Sequence, residues 1–135
     1  MSPTQRSAIR EYYEAYWSED GYNPEQKVTK SVLEVLQRCV GPTDDCIDVG
    51  CGRGAGPSQW LNAHAGSYLG VDISRRAIEA ARTEGLNVAE ISDASELPCQ
   101  DCSLDVAVSL EVFQNLFAPQ LAAQEIWRVL RPRGD

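Results

Sequence analysis

Apolar positions along the chain follow two different rhythms. Up to about residue 42 they recur every three to four positions, as on helix faces. Ile9, Tyr12, Tyr13, Tyr16 and Trp17 share one such face, and Val28, Val32, Val35, Leu36 and Cys39 share another. Ser2-Pro3-Thr4-Gln5 has the form of a capping box with proline in the first turn. Asp20-Gly21 breaks that helix, Asn23-Pro24 opens the next with Gln26 behind it, and Gly41-Pro42 closes it. From Asp45 the rhythm changes to short, nearly unbroken apolar runs: Cys46 to Val49, Tyr68 to Asp72, Val88 to Ile91 and Leu104 to Leu110. Helices are predicted between them, from Pro57 to Ala65 and from Ser74 to Glu84, the latter capped by Ser74. A last helix is predicted from about Pro119 to Leu130, stopped by Pro132 and Gly134. Strands that read apolar without alternation are covered on both faces, so the alternation of strands and helices predicts a doubly wound parallel sheet, an α/β fold.

With 135 residues the chain is expected to be a single domain, with N-terminal helices over 1–42 and the sheet core over 43–135. No repeat or low-complexity segment divides it. Its 43% hydrophobic and 24% charged residues are those of an ordinary globular protein. The net charge of −8 argues against nucleic acid or an anionic membrane as partner, because both attract basic surfaces. No apolar run is long enough to span a bilayer, and no basic segment followed by an apolar one marks a leader. Five cysteines, an odd number, in strand-like surroundings read as reduced thiols of a cytoplasmic protein.

The chemistry concentrates in Cys46-Ile-Asp-Val-Gly-Cys-Gly-Arg-Gly54. A strand runs into a turn containing Gly50, Cys51, Gly52 and Gly54, and Pro57 begins a helix. Such a turn lets a ligand lie on backbone N–H groups at a helix N-terminus. Asp48 selects among ligands: it would repel a phosphate and favour an ammonium group. S-adenosyl-L-methionine carries an α-ammonium, a carboxylate and a sulfonium, with no phosphate. Asp72 ends the second strand, 18 residues beyond Gly54, where an acidic side chain accepts from ribose hydroxyls. Asp93-Ala94 follows the third strand, at the edge where a carboxylate accepts from an exocyclic adenine amine. Leu110-Glu111 ends the fourth. In a Rossmann-like sheet of order 3-2-1-4 these strand ends flank one crevice, between strands 1 and 4.

Four segments together resemble the class I S-adenosylmethionine-dependent methyltransferases of small-molecule type, the group that includes ubiquinone and menaquinone biosynthesis enzymes. Ile47-Asp-Val-Gly-Cys-Gly-Arg-Gly54 is similar to the family's glycine motif, and Gly70-Val-Asp-Ile-Ser74 to its acidic ribose motif. Asp93-Ala-Ser-Glu-Leu-Pro98 through Ser103-Leu-Asp-Val106 is similar to the adenine-side motif, and Trp127-Arg-Val-Leu-Arg-Pro-Arg-Gly134 to the segment before strand 5. The resemblance covers about residues 30 to 135. It implies that Gly50, Gly52 and Gly54 give close backbone approach to the methionine half of the cofactor, with Asp48 near its amino group. It implies that Asp72 binds the ribose diol, Ile73 packs on adenine, Asp93 takes the adenine amine with Ala94 beside it, and Leu110 and Glu111 line the methionine or substrate side. N-terminal helices in similar enzymes form a lid, which assigns Tyr12, Tyr16 and Trp17 to the substrate or lid region, where aromatic faces suit a sulfonium. A small-molecule methyl acceptor is the implied partner, and no catalytic base is identified.

Cys99-Gln-Asp-Cys102 has metal-ligand spacing but lacks a second pair, so no metal site is expected. His64, the single histidine, reads as an ordinary surface or core residue. The family's sheet has seven strands in the order 3-2-1-4-5-7-6, and this sequence ends where strand 5 begins. Strand 4 is then an edge that invites self-association; a fragment, an edge-covering oligomer and a natural remnant all remain open. Two other functions also remain open. Gly50-x-Gly52-x-x-Ala55 fits a relaxed nicotinamide-dinucleotide fingerprint, which would make an NAD(P)-dependent oxidoreductase, and the truncation allows a non-catalytic cofactor-binding or assembly module.

Overall fold

A computed structural model describes residues 2–16, 30–91, 93–110, 112–113 and 116–133, and for residue 16 the backbone only. Two helices come first, α1 (Pro3–Tyr16) and α2 (Lys30–Cys39). The core follows as β1 (Asp45–Val49), α3 (Pro57–His64), β2 (Ser67–Asp72), α4 (Arg75–Thr83), β3 (Val88–Glu90), β4 (Val106–Val108) and α5 (Pro119–Val129). The four strands form one sheet in the order β3-β2-β1-β4, and every pairing is parallel.

Local chemistry accounts for most boundaries. Ser2 and Gln5 cap α1 reciprocally: the Gln5 N–H donates to Ser2 Oγ at 3.2 Å and the Ser2 N–H to Gln5 Oε1 at 2.8 Å. Ser74 is fully buried and its Oγ accepts from the Ala77 N–H, closing the first turn of α4. Proline occupies the first turn of both α3 and α5. The break at Asp20-Gly21, the start at Asn23-Pro24, and Val28 lie outside the described residues.

The sheet carries two apolar layers. Cys46, Leu61, Tyr68, Ile78, Ala81 and Val108 pack on the face covered by α2, α3 and α4. Ile47, Val49, Val71, Ala122 and Val129 pack on the face covered by α5. Helices on opposite faces follow from the reversal of winding at β1: β2 and β3 are added on one side of it and β4 on the other. The reversal opens a crevice at the carboxyl ends of β1 and β4.

β4 is shorter than the Leu104-to-Leu110 run predicts. Its ladder with β1 covers Val106–Val108. Beyond it Ser109 Oγ donates to the Val49 carbonyl, so a side chain occupies that position and the backbone turns away. Before it, Leu104 forms a parallel bridge not with β1 but with Leu130, just after α5. The Leu104 N–H donates to the Val129 carbonyl and the Arg131 N–H to the Leu104 carbonyl, at 3.0 and 2.8 Å. The chain leaving α5 thus begins to pair with the outer side of β4.

Candidate functional site

Four predicted segments meet at one edge of the sheet. The glycine turn follows β1, Asp72-Ile73 ends β2, Asp93-Ala94 follows β3, and Leu110 follows β4. The turn is fastened to β2 through its backbone: the N–H groups of Gly50 and Cys51 both donate to the Val71 carbonyl. Asp72 completes the fastening. Its Oδ2 accepts from the Gly52 N–H at 2.9 Å and its Oδ1 from the Ser74 N–H at 3.0 Å. One carboxylate therefore ties the turn to the cap of α4, and with the Ile73 N–H as a third partner it still keeps acceptor capacity. Burial pushes the Asp72 pKa up, and the Ser74 and Gly52 N–H groups oppose that.

Gly54 turns at φ +78°, in the left-handed region. A Cβ on it would lie 2.0 Å from Leu86 Cδ1 and 3.3 Å from Ala81 Cβ. The side-chain-free position is thus filled by the protein's own core, in addition to any part it plays toward a ligand. Over Gly50 lies Val112, from the segment after β4.

Asp48 is 4% exposed. It shares its side of β1 with Cys46, and its Oδ2 accepts from Ser58 Oγ at 2.6 Å and from the Tyr68 hydroxyl at 2.7 Å. Tyr68 reaches it across Gly70, where a Cβ would come within 2.7 Å of the tyrosine hydroxyl. Burial pushes the Asp48 carboxyl up, Ser58 and Tyr68 oppose it, and the Asp72 charge adds to the rise. Asp48 thus braces α3 against β2 beneath the glycine turn. The sequence reading missed Ser58 and Tyr68; the side-chain-free Gly70 within β2, opposite Asp48, was the available signal.

Asp93 and Ala94 are both buried. Asp93 Oδ1 accepts from the Ser95 N–H at 2.9 Å, while Oδ2 is buried without a hydrogen bond. Ile73 packs at the edge of the α5-side layer, and Leu110 is exposed. Cys51 is buried in the turn, and burial with the charges of Asp48 and Asp72 pushes its thiol well up.

The N-terminal helix crosses the same edge. Tyr12 is 61% exposed and meets Tyr13 edge to face at 5.1 Å between ring centroids. Charged residues at i, i+4 and i+8 make contacts across that edge. Arg6 lies against Asp93 and Glu96, Arg10 against Glu90 and the Ile91 carbonyl, and Glu14 against Arg76. The side chain of Tyr16, and all of Trp17 and Glu111, lie outside the described residues.

Residues 47–135 match the family model described as a methyltransferase domain. An O-methyltransferase of Pyrenophora dematioidea is 34% identical over 130 residues, covering 87% of this chain and 48% of that protein. A Haloferax volcanii complex with the Trm112 methyltransferase activator contains a chain that superposes with a TM-score of 0.77 at 26% identity, over 92% of this chain and 56% of that one. A SAM-dependent methyltransferase from Methanosarcina mazei superposes with a TM-score of 0.65 at 25% identity, over 79% and 55%. The chain spans about half the length of the curated relatives it matches. On the family match, the motifs and the sheet order together, the chain belongs to the methyltransferase-domain family, of the class I S-adenosylmethionine-dependent type.

Proposed function

We propose that this chain is the cofactor-binding half of an S-adenosylmethionine-dependent methyltransferase that methylates a small molecule. The observation that carries the reading is Asp72. It is buried at the carboxyl edge of the sheet, its carboxylate is oriented by the backbone N–H groups of Ser74, Gly52 and Ile73, and acceptor capacity remains for a ribose diol. The unfilled Oδ2 of Asp93 stands at the same edge and fits an adenine amine as donor. The dinucleotide alternative loses ground because Asp48 places a buried carboxylate beneath the glycine turn, close to where a pyrophosphate would lie, and the family match is to methyltransferases.

Bound S-adenosylmethionine supplies a methyl group on a sulfonium, a leaving group that needs no protonation. The chain's own part is then to hold, orient and exclude water. Asp72 and Asp93 would hold the adenosine half, Ile73 and Ala94 would offer it apolar surface, and the glycine turn would face the methionine half with its backbone. Asp48 supports the turn from beneath through Ser58. The Cys51 thiol, pushed up by burial, stays protonated and serves as packing. Named relatives that are O-methyltransferases favour an oxygen acceptor. The free thiols of all five cysteines suit a reducing, cytoplasmic setting, and among the described residues no helix is long and apolar enough to cross a membrane.

Calorimetric titration with S-adenosylhomocysteine tests the reading. Removing both acceptors in Asp72→Ala is expected to weaken binding at least about tenfold, the scale of one hydrogen bond to a charged group. Equal affinity in the folded variant would remove the site. Because the Asp72 carboxyl is raised, affinity should also begin to fall at a higher pH than an unperturbed aspartate would allow.

A further inference from the structure

We propose that Arg6 is a positioning residue for adenine recognition: it holds the Asp93 carboxylate for the adenine amine and so couples docking of α1 to cofactor binding. This rests on the cofactor reading above and goes beyond it, since it assigns cofactor selectivity to the N-terminal helix.

The geometry is unusual for a structural ion pair. Arg6 Nε lies 3.4 Å from Asp93 Oδ2, and both atoms are buried, yet neither makes a hydrogen bond. An ion pair that served only to fasten α1 would satisfy both groups, because buried polar atoms left unmade are costly. Here the guanidinium supplies its charge without filling the carboxylate's lone pair. Asp93 Oδ1 is fixed by the Ser95 N–H, so rotation of the carboxylate is already restrained on one side. Arg6 restrains the other, and its second arm is anchored on Glu96 at 3.2 Å. What remains is one oriented acceptor at the edge where the adenine would lie.

The rest of the helix is held independently. Arg10 pairs with Glu90 and donates to the Ile91 carbonyl, and Arg75 joins Glu90 from α4. Glu14 meets Arg76. Arg10 thus serves as the mechanical fastening, and Arg6 as the contact that reaches the ligand's partner. By linkage, a ligand that uses Asp93 in its Arg6-held form must favour the docked helix, and the docked helix must favour that ligand.

The test compares S-adenosylhomocysteine with S-inosylhomocysteine, in which an oxo group replaces the adenine amine. Titrations use the 135-residue chain and its Arg6→Gln, Arg6→Lys and Arg10→Gln variants, each checked for folding. The native chain is expected to prefer the adenosyl ligand by about tenfold, one charge-assisted hydrogen bond. Arg6→Gln should shrink that preference to less than about threefold, and Arg6→Lys, which keeps the charge, should recover part of it. Arg10→Gln should weaken both ligands alike and leave their ratio unchanged. S-adenosylhomocysteine should also slow chymotryptic cleavage at Tyr12 and Tyr13 in the native chain but not in Arg6→Gln. An unchanged ligand ratio in folded Arg6→Gln overturns the assignment while leaving the cofactor site intact. Failure of the native chain to bind S-adenosylhomocysteine overturns both.

Discussion

Asp48 and Asp72 stand on neighbouring strands beneath one turn, yet they face different tasks. Asp72 is held by backbone N–H groups, and Asp48 by two hydroxyls. Removing one hydroxyl in Tyr68→Phe should cost about 1–3 kcal/mol in urea denaturation, the cost of leaving a buried acceptor short. The raised Asp48 carboxyl makes stability depend on pH. A carboxyl whose folded pKa exceeds its unfolded value favours the fold most below the ordinary value of 3.8 and loses that contribution as pH rises through the folded pKa. Asp48→Asn, which keeps an acceptor oxygen, should therefore flatten the decline of stability above that pH; an unaltered profile would show that Asp48 titrates normally. Gly54→Ala meets Leu86 and a left-handed backbone together, so a loss of about 1–3 kcal/mol is expected. The place of Asp72 at the end of β2 was legible in the sequence because a short apolar run that gives way to a capped helix marks where the strand stops. The orientation of Asp48 was not. When helices cover both faces of a sheet, every strand position is buried, and alternation no longer says which side a polar residue joins.

At the scale of elements, strands and caps were readable because they depend on neighbours in sequence. Ser74, Pro57, Pro119 and the Ser2–Gln5 pair lie where the sequence places them. Ser74→Ala should destabilise α4 by about 1 kcal/mol, with thermal unfolding as the measure. The docking of α1 was not readable in this way. Its aromatic spacing marks one face, but Glu90, Ile91, Asp93 and Glu96 present carboxylates and a carbonyl, and the apolar pattern gave no sign that Arg6 and Arg10 answer those. Which face of a helix docks depends on a surface far away in sequence. β4 came out shorter than its apolar run for a related reason: the Ser109 side chain takes an acceptor that the ladder would otherwise use.

For the molecule as a whole, β4 matters most. Among the described strands it pairs with β1 alone, and Leu130, Arg131 and Arg133 begin to cover the start of its outer side. Along Val106–Val108 the sequence has no proline or lysine to blunt an edge. Self-association of the 135-residue chain through this strand is therefore expected, rising with concentration in light scattering; a monomer at every concentration would show that the edge is closed. The arginine contacts of α1 carry a different consequence, for the order in which the chain acquires its shape. Arg10 and Glu90 are 80 positions apart, whereas β1 and β2 join across a short crossover. Contacts that close so long a loop form late. During synthesis α1 emerges before the sheet and has nothing to settle on until β3 has left the ribosome. A segment made early thus finds its place late, and hydrogen exchange should show it opening before the β1–β2 pair.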